Sequence, residues 1–396
     1  MPLKEKPNRL WAIVIGAGLA LSPIHNQYLT QLASNAKGET LFFLPAFGYL
    51  LLIMGAGLFL LNNWQKLKEV GWGDRRVVGC LLFIVLAISA SGAAYTGLQA
   101  RFAPMGMGLA LFALYLCGRV LGKDMFLPLA VGAVIASLGV IVHQIIYPGV
   151  ITGGFVFENN YDIVVGYVLL GAALFIHRWQ WLLAGLALVT ILLTGSPEGL
   201  FALGVIGVAI LVRRDWGKKL AMVLAPVAVI VVIGLVSGYG VTLYSYAGKI
   251  IAGEEATPYD NGSTPVNAIG YRLQVIEDAM TNIQPLGEGY NLTDFGRSPN
   301  VHNVPLVIVQ QLGWPGVLAG LAWLWIVIWC LVKTRWKYVF ILILALSVFD
   351  HFIWTQLAPL FWVIVGAATA PDNIESDLIF RIAEKTMQVS KPCAVS

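Results

Sequence analysis

Arg272 and His302 are the side chains on which chemistry could turn. Both stand in residues 244–303, the longest polar interruption of a very apolar chain. Thr264 suits a helix N-cap and Pro265 the first helical position. Ile269, Leu273, Ile276, Met280 and Ile283 then recur at helical spacing until Pro285 ends the pattern. They form one apolar stripe, as on a helix lying against a membrane surface or other helices. At about 100° per residue, Arg272 falls at the border of that stripe. From there a guanidinium can reach an anionic group at the membrane interface, or simply snorkel to water. Lys249 and Arg297 are the other cations of this stretch, and a solvated arginine is the ordinary state of a loop residue. His302 and Asn303 stand where the polar stretch meets the next apolar run. A histidine there can accept a proton near neutral pH, or it can serve as a capping or interface residue. Pro285-Leu286-Gly287-Glu288-Gly289 reads as a tight turn and not as a phosphate cradle.

The elements that must hold these residues are set by composition. The chain has 396 residues, 58% hydrophobic and only 12% charged, with a mean hydropathy of +0.78. A soluble domain carries about 25% charged residues, so the chain is expected to be embedded in a membrane. Apolar runs of roughly 18 residues or more recur along its length, and the ten-residue alternation of a transmembrane barrel is missing. The first apolar run follows Lys4, Lys6 and Arg9 without a small-residue cleavage site, and reads as a retained helix.

The expected fold is all-α and polytopic, with about twelve transmembrane helices near 10–30, 40–62, 77–98, 104–121, 125–147, 163–177, 180–195, 198–212, 220–243, 304–332, 338–350 and 353–370. Placing the N-terminus in the cytoplasm leaves only Lys37, Arg101, Lys249, Arg272 and Arg297, of 25 basic residues, on the outer side. That asymmetry satisfies the positive-inside rule. It puts both termini inside and the large loop between helices nine and ten outside. Residues 1–243 would then carry nine helices, 244–303 the outer loop with its amphipathic helix, 304–370 the last three helices, and 371–396 a cytoplasmic tail.

Several function classes fit poorly. Cys80, Cys117, Cys330 and Cys393 do not share the outer face, so no disulfide is expected, and no spacing suggests a metal site. Basic residues are scattered and form no groove for nucleic acid. A secondary transporter would show an internal repeat and buried ionisable residues. The helix middles are nearly free of Asp, Glu, Lys and Arg, although a lipid-linked sugar transporter and a non-catalytic envelope scaffold stay open. His25, His143, Asp350, His351, Asn159 and Asn160 lie near expected outer ends, where polar residues commonly meet headgroups. Asn261 and Asn291 begin formal glycosylation sequons, meaningful only in a eukaryotic secretory pathway.

The loop resembles the O-antigen ligase and polymerase superfamily of bacterial envelope glycosyltransferases. Three features carry the resemblance: an arginine-bearing amphipathic helix running into a Pro-Leu-Gly-x-Gly turn (Arg272 to Gly289); His302-Asn303 followed by Gly313-Trp314-Pro315-Gly316; and, more loosely, the Phe157 to Asn160 segment with the Thr194-Gly195-Ser196 turn. The resemblance implies transfer of a glycan from a polyprenyl diphosphate carrier to a glycan, lipid or protein acceptor at the outer face of the bacterial inner membrane. It implies no nucleotide sugar, cofactor or required metal. Arg272 would contact the diphosphate, with Asn303, Arg297 and Lys249 as further substrate contacts, and His302 would help activate the acceptor hydroxyl. One departure stands out: many ligases carry an arginine directly after the serine of the Thr-Gly-Ser turn, where this chain has Pro197 and Glu198. Glu198 is either a functional carboxylate or a charge favoured at a helix N-terminus. The loop also holds three basic against seven acidic residues, so it is no funnel for polyanions, which makes lipid A a doubtful acceptor.

Overall fold

The computed structural model describes residues 9–21, 47–94, 98–146, 180–194, 204–205, 276–277, 281, 283–290, 303–349, 351, 353–355 and 357–374. Its elements, in chain order, are α1 (Arg9–Leu21), α2 (Phe47–Asn62), α3 (Trp64–Val70), α4 (Arg75–Ser91), α5 (Leu98–Leu121), α6 (Phe126–Ile146), α7 (Gln180–Thr194), α8 (Val304–Leu312), α9 (Trp314–Lys333), α10 (Lys337–Phe349) and α11 (Ala358–Ala368). Among the described residues there is no strand, only an isolated bridge between Thr334 and Ile374.

Length and composition decide which helices can cross a membrane. Three stretches qualify: Arg75–Ala94, Pro104–Val142 and Trp314–Lys333. The second holds the end of α5, a 3-10 turn over Gly122–Met125 and most of α6, and it is broken at Gly122, whose φ is +52°. With 24 and 21 residues, α5 and α6 each exceed the roughly 20 a crossing needs. Outward faces are apolar as well. Val317, Leu318, Leu321, Ile328 and Val332 are exposed along α9, and Leu82 and Leu86 along α4. Water would penalise a surface of that kind, whereas lipid tails solvate it. The protein is therefore an integral membrane protein.

At the centre stands α11, every residue of which is buried; a helix apolar on all sides belongs inside a bundle. It packs on α5, while α1 packs on α6 and α2, and α4 on α5 and α9. Small residues make the α5–α11 approach possible: a Cβ at Gly118 would fall on the Val363 carbonyl, and one at Gly366 on the Tyr115 carbonyl. Direct backbone contact of this kind is how helices gain dispersion energy where no hydrophobic effect drives them together.

Three elements differ from the expectation read in the sequence. The expected helix 304–332 is two helices, α8 and α9, broken at Gly313. The expected loop near 99–103 is helical, because α5 starts at Leu98 and accommodates Pro104 within its first two turns. The basic connection after α2 contains a helix of its own, α3. Arg119, assigned to a cytoplasmic connection by its charge, is 3% exposed. Its guanidinium donates to the carbonyls of Gly71 (3.0 Å), Val70 (2.9 Å) and Thr369. A charge can be buried in this way because several carbonyl oxygens replace its water.

Candidate functional site

The break between α8 and α9 is where the chain's turn motif is held. Every helix end leaves carbonyls without intrahelical partners, and α8 ends after only 9 residues. Its last carbonyls are satisfied by the turn and by its own C-cap residue, Gly313. Glu288 N donates to Gln310 O (3.0 Å), Gly289 N to Gln311 O (3.0 Å), and Gly313 N to Val309 O (2.8 Å). The start of α9 uses the same loop, with Trp314 N donating to Pro285 O at 3.1 Å. The turn 285–289 thus caps one helix at its C-terminus and the next at its N-terminus. The Pro-Leu-Gly-x-Gly turn and the Gly-x-x-Gly step, separate features in the sequence, are one hydrogen-bonded unit.

Glycine is required on both sides of this contact. Gly287 has φ +74° and Gly313 φ +65°, values that side chains rarely adopt. A Cβ on Gly287 would fall on the Gln311 carbonyl, and one on Gly313 would meet Gln284 O, Pro285 O and Gly287 N. Backbone meets backbone here, so no side chain can yield.

Behind the turn lies a buried polar network, of which the sequence reading named only His351, expected at headgroup level and buried here. Tyr290, 3% exposed, donates its N–H to Ser91 Oγ (3.1 Å) and its hydroxyl to Trp354 O (3.1 Å). Its ring meets that of Trp354 edge-on, with centroids 5.5 Å apart. Trp354 Nε1 donates to Gln311 Oε1 at 3.0 Å, and His351 Nδ1 lies 3.2 Å from Thr355 Oγ1. Gln311, His351 and Thr355 are all buried. Together they join the end of α4, the turn, the α8–α9 break and the turn 353–355 before α11. The available signal was Gln310-Gln311, separated from Gly313 only by Leu312, two amides in an otherwise apolar run.

Asn303 occupies the other end of α8. Its Oδ1 accepts from Leu306 N at 3.2 Å, an N-cap, and its Nδ2 donates to Val348 O at 3.2 Å on α10. Pro305 follows in the first helical turn, where its missing N–H is no loss. With 9 residues, α8 holds Asn303 and the 285–289 turn about 14 Å apart along its axis. Arg272, His302, Arg297, Lys249 and Glu198 lie outside the described residues, as do Asn159, Asn160 and Asp350. Among the described residues, no three of His, Cys, Asp and Glu converge as metal ligands would.

None of the curated proteins matches the chain. Residues 182–321 match the family described as O-Antigen ligase. That stretch takes in Arg272, His302, Asn303, the 285–289 turn and the Gly313 break. By that match, and by the helix, turn and His-Asn pattern within it, residues 182–321 are similar to the O-antigen ligase family.

Proposed function

We propose that this protein moves a glycan from a polyprenyl diphosphate carrier to an acceptor hydroxyl at the outer face of the bacterial inner membrane. The single observation that carries the reading is the docked turn. A loop bearing the family's motifs is held by three backbone bonds to a helix break, within the residues that match the O-antigen ligase family. Irregular backbone of this kind persists in a membrane protein where it is packed in protein or lines a cavity.

In the proposed reaction the acceptor oxygen bonds to the anomeric carbon. The bond from that carbon to the carrier's phosphate oxygen breaks, and the diphosphate leaves with the electron pair. His302 takes the acceptor's proton. Charge grows on the diphosphate as the bond breaks, so a fixed guanidinium at Arg272 stabilises the transition state more than the ground state. Arg297 and Lys249 supply further positive contacts in place of the arginine that many ligases carry after the Thr-Gly-Ser turn, and Glu198 orients the acceptor. Asn303 is a positioning residue: tied to α8 and α10, it fixes the backbone next to His302. Twelve helices with both termini inside, and 244–303 outside between 1–243 and 304–370, complete the arrangement.

The test is a glycan profile of the host lacking this gene, complemented with wild type, Arg272→Ala or His302→Ala. Long glycan accumulating on its lipid carrier identifies a ligase. Single carrier-linked repeats identify a polymerase, the alternative that shares this fold and loop chemistry. Full complementation by both variants refutes the site.

A further inference from the structure

We propose that the segment 63–76, far from the proposed transfer site in sequence and independent of it, is a docking site for anionic phospholipid headgroups. It joins the end of α2 to the start of α4, which opens a membrane-crossing stretch at Arg75. The segment therefore lies at the end of the apolar region, at headgroup level. Directly beside it α2 exposes Leu58 and Leu61, and beyond it α4 exposes Leu82 and Leu86, marking the acyl level.

The short helix α3 sits between two apolar helices, directly after α2 and before α4. Leu67 is 4% exposed and seats α3 against α5. At about 100° per residue, Trp64 falls about 60° from Leu67, Lys66 and Lys68 flank it at about 100° on either side, and Gln65 and Glu69 point away. On that wheel Trp64 and Lys68 share one edge of the helix, about 40° apart, and Lys66 stands about 160° from both; an exposed tryptophan beside a lysine suits an interfacial helix. Trp64 is 52% and Trp72 58% exposed, and both have the amphipathic rings that favour the headgroup region. The Lys68 ammonium lies 5.6 Å from the Trp64 ring centroid, which holds the two as one surface. Arg75 and Arg76 are exposed at the first turn of α4, where Asp74 is engaged as N-cap by accepting from Arg76 N at 2.8 Å. The segment thus carries four exposed cations, Lys66, Lys68, Arg75 and Arg76, against the carboxylates of Glu69 and Asp74.

What sets this segment apart from an ordinary basic loop is its rigidity. Arg119 binds the carbonyls of Val70 and Gly71, and the Tyr115 hydroxyl donates to Trp72 O at 2.8 Å. Arg119 also binds Thr369 at the end of the central helix. A buried guanidinium is an expensive device for ordering a solvent loop. Used here, it fixes in advance the spacing of four cations and two tryptophans, so that lipid binding need not order them.

Native mass spectrometry of the full chain in mild detergent tests the proposal, with phosphatidylglycerol, phosphatidylcholine and inorganic phosphate each titrated in turn. The wild type is expected to retain phosphatidylglycerol over phosphatidylcholine. Lys66→Gln with Lys68→Gln should weaken that retention by roughly fivefold per cation removed, while Lys66→Arg with Lys68→Arg preserves it. Rising salt should release the lipid from wild type, a readout that needs no variant to fold. Equal retention of the two lipids, equal retention by the Gln variant, or displacement of lipid by millimolar phosphate would overturn it, the last by showing a site for free anions.

Discussion

Replacing Gly313 with alanine tests whether the turn and the helix break form one unit. Gly313 sits at φ +65° and ψ −142°, a region that alanine reaches only with strain of about 1–3 kcal/mol. Its new Cβ would also meet three backbone atoms of the turn: Gln284 O, Pro285 O and Gly287 N. Bearing both strain and collision is costlier than releasing the turn, which forfeits three inter-segment hydrogen bonds. At about 1 kcal/mol net for each bond, release costs about 3 kcal/mol. Hydrogen–deuterium exchange read by mass spectrometry over 284–290 and 309–316 should then show protection falling about a hundredfold. Gly79→Ala is the matched control. Gly79 lies within α4 with open space around its Cβ, and a helical alanine there should gain about 0.5–1 kcal/mol. Exchange in the Gly313→Ala protein indistinguishable from wild type would refute the docked-turn reading and, with it, the observation on which the proposed function stands.

Arg119→Gln should destabilise the protein by about 3–5 kcal/mol, since charge-assisted bonds to three carbonyls are removed or weakened; limited proteolysis should then cut near 71–74, which resists in the wild type. Asn303→Ala should cost about 1 kcal/mol through loss of the α8 N-cap. Asn303→Asp keeps the capping oxygen but sets a second acceptor against Val348 O in place of the amide donor, so both variants should unfold below wild type, and an Ala variant as stable as wild type would remove Asn303 from any positioning role.

Much of this molecule was legible without coordinates, and the reason is physical. Lipid and water differ so strongly as solvents that runs of apolar residues declare membrane helices by composition alone. The bounds of α6, α7 and α10 fall close to the expected ones for that reason. The turn at 285–289 was legible because Pro and two Gly encode local backbone geometry. Three features were not. The run from Val304 to Lys333 is apolar on both sides of Gly313, so hydropathy passes over the break. The helix α3 is too short and basic to register as structure; Leu67 in the core and Arg119 on its carbonyls hold it. Arg119 itself counts as a cytoplasmic charge in the sequence and is a buried clamp in the fold.

The sequence by itself determined that the chain is a helical membrane protein and where its tight turn at 285–289 falls, because solvent preference and turn chemistry are properties of neighbouring residues. Only the tertiary structure decided that the 285–289 turn caps two helices at once, that Asn303 ties α8 to α10, and that Tyr290, Gln311 and Trp354 stand behind the site. Those partners are brought together by packing across the bundle, where a carbonyl left over at one helix end finds its donor in a distant part of the chain.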